Sequence, residues 1–229
     1  MQADIVQQQI AYYRARAGEY DDWFYRNGRY DHGPALNQQW LDEAALVMRA
    51  LHRLEPVEHA LELACGTGIW TRELLRISQR ITAIDAAPEV IAINRQKLSS
   101  PRMIYQQHDL FQWQPETTYE LVFFSFWLSH VPPETLDSFL ATVRRALRPG
   151  GRLFLVDSLQ AQGSTAKDYP LRDDEQTYRT RTLQDGRIFT IVKVFYEPQQ
   201  LHDALQRHGF DPVVQTSGAF FLYASARAV

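Results

Sequence analysis

The stretch Ala60-Leu61-Glu62-Leu63-Ala64-Cys65-Gly66-Thr67-Gly68-Ile69-Trp70 decides the fold. Leu61 and Leu63 belong to a buried strand, and Ile69 opens a helix that the pattern carries to Ile77. Gly66 and Gly68 allow a sharp turn between the two and let a ligand approach the backbone. Thr67 and Thr71 are placed to serve the orphan N–H groups at the helix start. A ligand site is expected at the carboxyl end of this strand, where open α/β sheets bind their ligands. Glu62 is an acid inside an apolar strand, where an unpaired carboxylate is costly. It either pairs within the protein, with a backbone amide or an arginine, or accepts a proton from a cationic or amide part of a ligand held by the turn.

Downstream the chain alternates strand and helix. Arg80 to Asp85 reads as a strand ending in an acid, and Pro88 opens a helix through Leu98 at a favourable first-turn position. Met103 to Gln107 is a third strand, followed by Asp109 and Leu110. Tyr119 to Trp127 is a fourth, apolar throughout, as a strand buried on both faces should be. A helix from Pro132 to Leu147 stops at Arg148-Pro149-Gly150-Gly151, and Arg152 to Asp157 is a fifth strand. This alternation predicts one doubly wound, mostly parallel sheet.

The spacing around Glu62 resembles motif I of the class I S-adenosylmethionine-dependent methyltransferases, with Ala64 standing where many members have the first glycine. It departs from the dinucleotide G-x-G-x-x-G pattern, because Trp70 and Thr71 occupy the region of the third glycine. The segment Leu147-Arg148-Pro149-Gly150-Gly151 adds a second resemblance, to the L-x-P-G-G turn of that family. The likeness covers residues 57–158 well and the flanks in outline, nearest to the quinone-biosynthesis and small-molecule methyltransferases. It implies a Rossmann-like seven-stranded sheet with helices on both faces, and S-adenosylmethionine as cofactor, leaving as S-adenosylhomocysteine. Asp85, roughly 20 residues after the turn, is the acid expected to bind the ribose hydroxyls, with Ala86 beside it. By the same resemblance Asp109 meets the adenine amine and Leu110 borders the ring. Glu62, Ala64, Gly66 and Gly68 hold the turn side of the cofactor, Phe126 and Ser129 wall its methionine part, and Tyr20 reaches it from an N-terminal cap.

The flanks supply the rest of a single domain. In residues 1–55, Ile10, Tyr13, Ala17 and Tyr20 recur with helical spacing, Trp23 and Phe24 continue that face, and a second helix runs from Leu36 to Leu54. The rings of this cap either pack onto the sheet or close over the ligands and hint at an apolar or aromatic acceptor. In residues 159–196 an Asp185-Gly186 turn joins two alternating segments as a hairpin, an insertion or sheet extension beside the acceptor pocket. Residues 197–229 give a last helix closed by Gly209 and two final strands.

Methyl transfer from a sulfonium needs mainly alignment, with a base only where the acceptor must lose a proton. His130, just past the fourth strand, is the candidate, with His32 and Tyr20 able to reach the pocket from the cap; the alternative for His130 is a bond within its own loop. Cys65, the single cysteine, is a packing residue or a nucleophile and excludes an internal disulfide. Asp157 ends the fifth strand without a second acid nearby, so no metal site is expected. The chain has 229 residues, 45% hydrophobic and 22% charged, with a net charge of −3, which argues for a globular protein without a basic face for nucleic acid. Its N-terminus is polar and it lacks an apolar run of the ~20 residues that span a membrane, so a cytoplasmic enzyme acting on a small molecule is expected. The other readings are a non-catalytic cofactor-binding module and a nicotinamide-dependent oxidoreductase.

Overall fold

A computed structural model describes residues 2–169 and 177–229. The mixed charge run Arg172 to Glu175 lies outside the described residues. Strands β1 (Val57–Leu63), β2 (Ser78–Asp85), β3 (Met103–Gln107), β4 (Tyr119–Ser125), β5 (Leu147–Ser158), β8 (Phe210–Thr216) and β9 (Phe221–Ala228) form one sheet in the order β3-β2-β1-β4-β5-β9-β8. All neighbours pair in parallel except β9, which runs antiparallel to both β5 and β8. The order reverses between β1 and β4, and the crevice at such a reversal is where ligands enter open α/β sheets. Strands β6 (Tyr178–Thr182) and β7 (Ile188–Val192) form a separate two-stranded sheet, so the hairpin is an insertion and not an extension of the main sheet.

Alternation along β4 builds a core on each face. Leu121 and Phe123 pack with Trp70 and Phe154, under α3 (Pro34–His52) and α4 (Ile69–Leu74). Val122 and Phe124 pack the other way with Phe139 and Leu140 of α6 (Leu136–Ala146) and Leu201 of α7 (Pro198–Arg207). Each of these β4 side chains is fully buried, worth about 2–3 kcal/mol against exposure. Helix α5 (Pro88–Leu98) begins at Pro88 as its sequence requires.

Several boundaries differ from the sequence pattern for local reasons. Helix α4 stops at Leu74, and Gly68, left-handed at φ +92°, stands at its N-cap with no side-chain cap bond. Thr67 instead bonds Asp21 at 2.5 Å, and Thr71 turns inward to Asn94 at 2.9 Å. Strand β4 ends at Ser125 because Phe126 adopts φ +51°. The first cap helix is two: α1 (Gln2–Arg16) breaks before α2 (Tyr20–Phe24). Helix α1 lies against β7, where Gln8 Oε1 accepts from Thr190 N at 3.2 Å and Gln9 Oε1 from Val192 N at 3.0 Å.

Ala64 has φ +53°, a region that costs an L-residue with a Cβ about 1–2 kcal/mol and glycine nothing. Replacing it by glycine, Ala64→Gly, is expected to stabilise the fold by up to about 1 kcal/mol after the added chain entropy of glycine. A thermal midpoint raised by about 2–4 °C in calorimetry is the expected reading; an unchanged or lower midpoint would show the left-handed turn to be unstrained.

Candidate functional site

A pocket of about 670 Å³, open solvent included, lies over the carboxyl ends of the strands on either side of the reversal. Ala64 and Gly66 line it after β1, Asp85 and Ala86 after β2, Asp109 and Leu110 after β3, and Phe126 after β4, while Tyr13 and Tyr20 reach it from the cap. Asp85 is held by two backbone donors, Gly66 N to Oδ2 at 3.0 Å and Ala87 N to Oδ1 at 2.9 Å. Burial raises its pKa to about 6, against those same N–H groups, which favour the carboxylate. Asp109 Oδ1 accepts from Phe111 N at 3.0 Å, so this acid also caps the turn that follows it.

Three residues expected at the cofactor do not line this cavity. Glu62 is 1% exposed and sits beneath the turn, with Oε2 lacking a partner. Burial pushes its pKa up to about 8, against the Thr71 hydroxyl beside it. Gly68 faces α5: a Cβ there would stand 2.8 Å from Asn94 Oδ1, so glycine serves helix packing. Ser129 turns toward Asp157 and Lys193, with its N–H on Asp157 Oδ2 at 2.8 Å and its hydroxyl accepting from Lys193 at 2.8 Å. Cys65 is buried, and burial drives its thiol pKa well up, which suits packing and not a nucleophile.

Asn94 is a residue that sequence reasoning placed only on a helix face. Fully buried, it gives Nδ2–H bonds to Gly66 O at 3.2 Å and Thr71 Oγ1 at 2.9 Å, and accepts from the Tyr105 hydroxyl at 2.8 Å. A polar side chain among Val90 and Ile91 is the signal that could have found it.

A second cavity, about 740 Å³, adjoins the first beneath the cap and the β6–β7 hairpin. Tyr13, Tyr20, Phe126 and His130 line both. His130 Nδ1 lies 2.6 Å from Val192 O, a carbonyl, so Nδ1 carries the hydrogen and Nε2 accepts from the Tyr13 hydroxyl at 2.7 Å. Burial, then the nearby Lys193 charge, hold its pKa well below the ordinary histidine value, so the ring is neutral at pH 7. His32 lines neither cavity; its Nε2 is 2.7 Å from Thr165 O.

The methyltransferase domain family matches residues 60–151. A ubiquinone biosynthesis O-methyltransferase of Xanthomonas oryzae pv. oryzae is 30% identical over 138 residues, covering 53% of this chain and 56% of that enzyme, so the chain spans about half the length of this relative. A DhpI–SAH complex is 36% identical and superposes with a TM-score of 0.80 over 98% of this chain and 97% of DhpI. The chain belongs to the class I S-adenosylmethionine-dependent methyltransferases. A second DhpI structure, a DhpI–SAM–HEP complex, is 35% identical with a TM-score of 0.80 over 97% of each chain.

The first cavity of this methyltransferase suits its family cofactor by its own donor set. Asp85 keeps lone pairs for two vicinal hydroxyls. An added Cβ at Gly66 would meet nothing within 4 Å, so the backbone there is open to a ligand. Asp85 and Asp109 face the cavity and among the described residues no lysine or arginine does, which favours a sulfonium cation and disfavours the diphosphate of a nicotinamide dinucleotide.

Two outcomes are expected. Affinity for S-adenosylhomocysteine, measured by calorimetry, should fall as pH drops through about 6, where Asp85 of the free protein takes up its proton; Asp85→Asn should bind weakly at every pH, and a pH-independent wild type would remove Asp85 from the ribose. Glu62 has a folded pKa raised above its unfolded value of 4.5, so its ionisation destabilises the fold and stability is lost as pH rises from there through about 8. Glu62→Gln should therefore flatten the decline of the thermal midpoint across that window; a slope equal to wild type would place the titration elsewhere.

Proposed function

We propose that this protein transfers a methyl group from S-adenosylmethionine to a small-molecule acceptor held in the second cavity. The observation that carries the reading is the wall shared by the two cavities, formed by Tyr13, Tyr20, Phe126 and His130. When bound, S-adenosylmethionine supplies a methyl group already activated on sulfur, so the protein's task is alignment and exclusion of water. Asp85, Asp109 and Leu110 orient the nucleoside end, and Ala64, Gly66 and Phe126 the turn end. Tyr20 and Trp23 meet edge to face at 5.5 Å and close the cap over the junction. The DhpI–SAM–HEP complex supports an arrangement in which a second small molecule accompanies the cofactor in a relative of this chain.

His130 acts as general base through Tyr13 where the acceptor carries a proton. Both ring nitrogens are engaged, so a proton reaches Nε2 by way of the Tyr13 oxygen, as Tyr13 passes its own proton to the ring. Nε2 carries no proton and takes one in step with its departure from the Tyr13 hydroxyl. Among the described residues no helix is long and apolar enough to cross a membrane.

With an acceptor that must be deprotonated, Tyr13→Phe and His130→Gln are each expected to lower kcat about 100-fold while leaving S-adenosylhomocysteine affinity within about threefold. The double variant should be scarcely worse than either single one, because the pair works as a unit. Additive losses, or a rate untouched by either change, would remove the relay.

A further inference from the structure

The second cavity carries a charge pattern that methyl transfer alone does not require. Arg16, Arg29, Arg181 and Lys193 line it, and among the described residues no carboxylate does. Two of these cations already have partners: Arg29 pairs with Asp168 at 2.5 Å, and Lys193 with Asp157 at 3.5 Å. Arg181 gives one N–H to Thr180 O at 3.4 Å and lies over the Tyr169 ring at 4.4 Å. Among the described residues neither it nor Arg16 has a carboxylate within ion-pair distance.

Arg16 carries the argument furthest. It is only 9% exposed, yet among the described residues its side chain bonds to the Tyr30 hydroxyl alone, at 3.3 Å, and its Nε has no partner. The rings of Tyr12, Tyr20, Trp23 and Tyr30 surround the guanidinium at 5.3–5.9 Å. Such rings favour a cation, but they leave the in-plane N–H donors of the fork without acceptors. A guanidinium that lines a cavity and has no carboxylate paired to it is complementary to a planar or tetrahedral oxyanion. The adjoining cofactor cavity has the opposite character, lined by Asp85 and Asp109 and, among the described residues, by no lysine or arginine. Charge is thus sorted across the shared wall.

We infer that the methyl acceptor is a small molecule bearing an oxyanion, a carboxylate or a phosphoryl group, gripped by Arg16 with Arg181 alongside. The inference rests on the methyltransferase reading above and names its substrate class. The cap rings, which the sequence alone offered as a hint of an apolar acceptor, serve as walls around a cation. They leave Arg16 fixed in place before any ligand arrives, and a preorganised donor loses little freedom on binding.

The test uses three probes of similar size: propionate, ethylphosphonate and the neutral propionamide. Each is titrated calorimetrically into the full protein saturated with S-adenosylhomocysteine. At least one anion is expected to bind about tenfold or more tightly than the amide, as charged hydrogen bonds require, and the stronger anion tells carboxylate from phosphoryl. Arg16→Met should lose this preference while keeping S-adenosylhomocysteine affinity within about threefold. If that variant does not fold, Arg181→Met, at a half-buried position, should reduce the preference at least threefold. Binding of propionamide as tight as that of both anions, or no binding of either anion, overturns the oxyanion. Failure of the wild-type protein to bind S-adenosylhomocysteine at all overturns the methyltransferase reading, and the inference with it.

Discussion

The hold of Asn94 on the glycine turn is the constraint on which the site depends. Its amide nitrogen binds three oxygens, Cys65 O and Gly66 O in the turn and Thr71 Oγ1 just after it, and a fourth partner, the Tyr105 hydroxyl, fixes the amide from β3. One buried side chain therefore ties together the turn after β1, the first turn of α4, helix α5 and strand β3. Buried polar networks of this kind specify one arrangement because every alternative leaves a donor or acceptor unpaired. Gly68 has no side chain for the same reason: Asn94 occupies the space. With the turn held, Gly66 N is aimed at Asp85, and Asp85 at the cavity.

From that anchor the two cavities differ by what the chain brings to each. Strand ends supply acids and open backbone to the first. The cap and the hairpin supply arginines, a lysine and rings to the second. The elements that build the first cavity are parallel strands whose spacing is set by backbone pairing. The second is assembled from pieces far apart in sequence: Arg16 ends α1, Arg181 lies in β6, and Lys193 follows β7. Phe126, with its positive φ, stands at the border and serves both.

This difference explains what could be read in advance. The sheet and its order of strand and helix were legible because they follow from local spacing along βα units, and the same spacing carries Ala64, Gly66, Asp85, Asp109 and Phe126 to the lining of the first cavity. Glu62, Gly68 and Ser129 shared that spacing but not the orientation, since side-chain direction at a turn depends on what packs behind it: Thr71, Asn94 and Asp157 in these cases. The cationic cavity was not legible. Nothing in the sequence sets Arg16 apart from the other arginines of the cap. Only the fold encloses it among four aromatic rings. The hairpin was legible as a hairpin, but its separation from the main sheet was not, because alternation in β6 and β7 looks the same whichever neighbour covers it.

Helix α1 touches both ligands' spaces and is seated against three parts of the fold: β7, the loop of His130 and, through the Arg14–Glu89 ion pair, α5. Gln9 bridges Val192 N and His130 O, Gln8 holds Thr190 N, and Tyr13 completes the wall between the cavities. A ligand that rests against α1 from either side adds to the free energy of seating it. The other space is then completed at lower cost, because the ordering of the helix has already been met. Ligands in the two spaces would be thermodynamically linked through the helix as well as through their own contact, and by reciprocity each would raise the affinity for the other by the same factor.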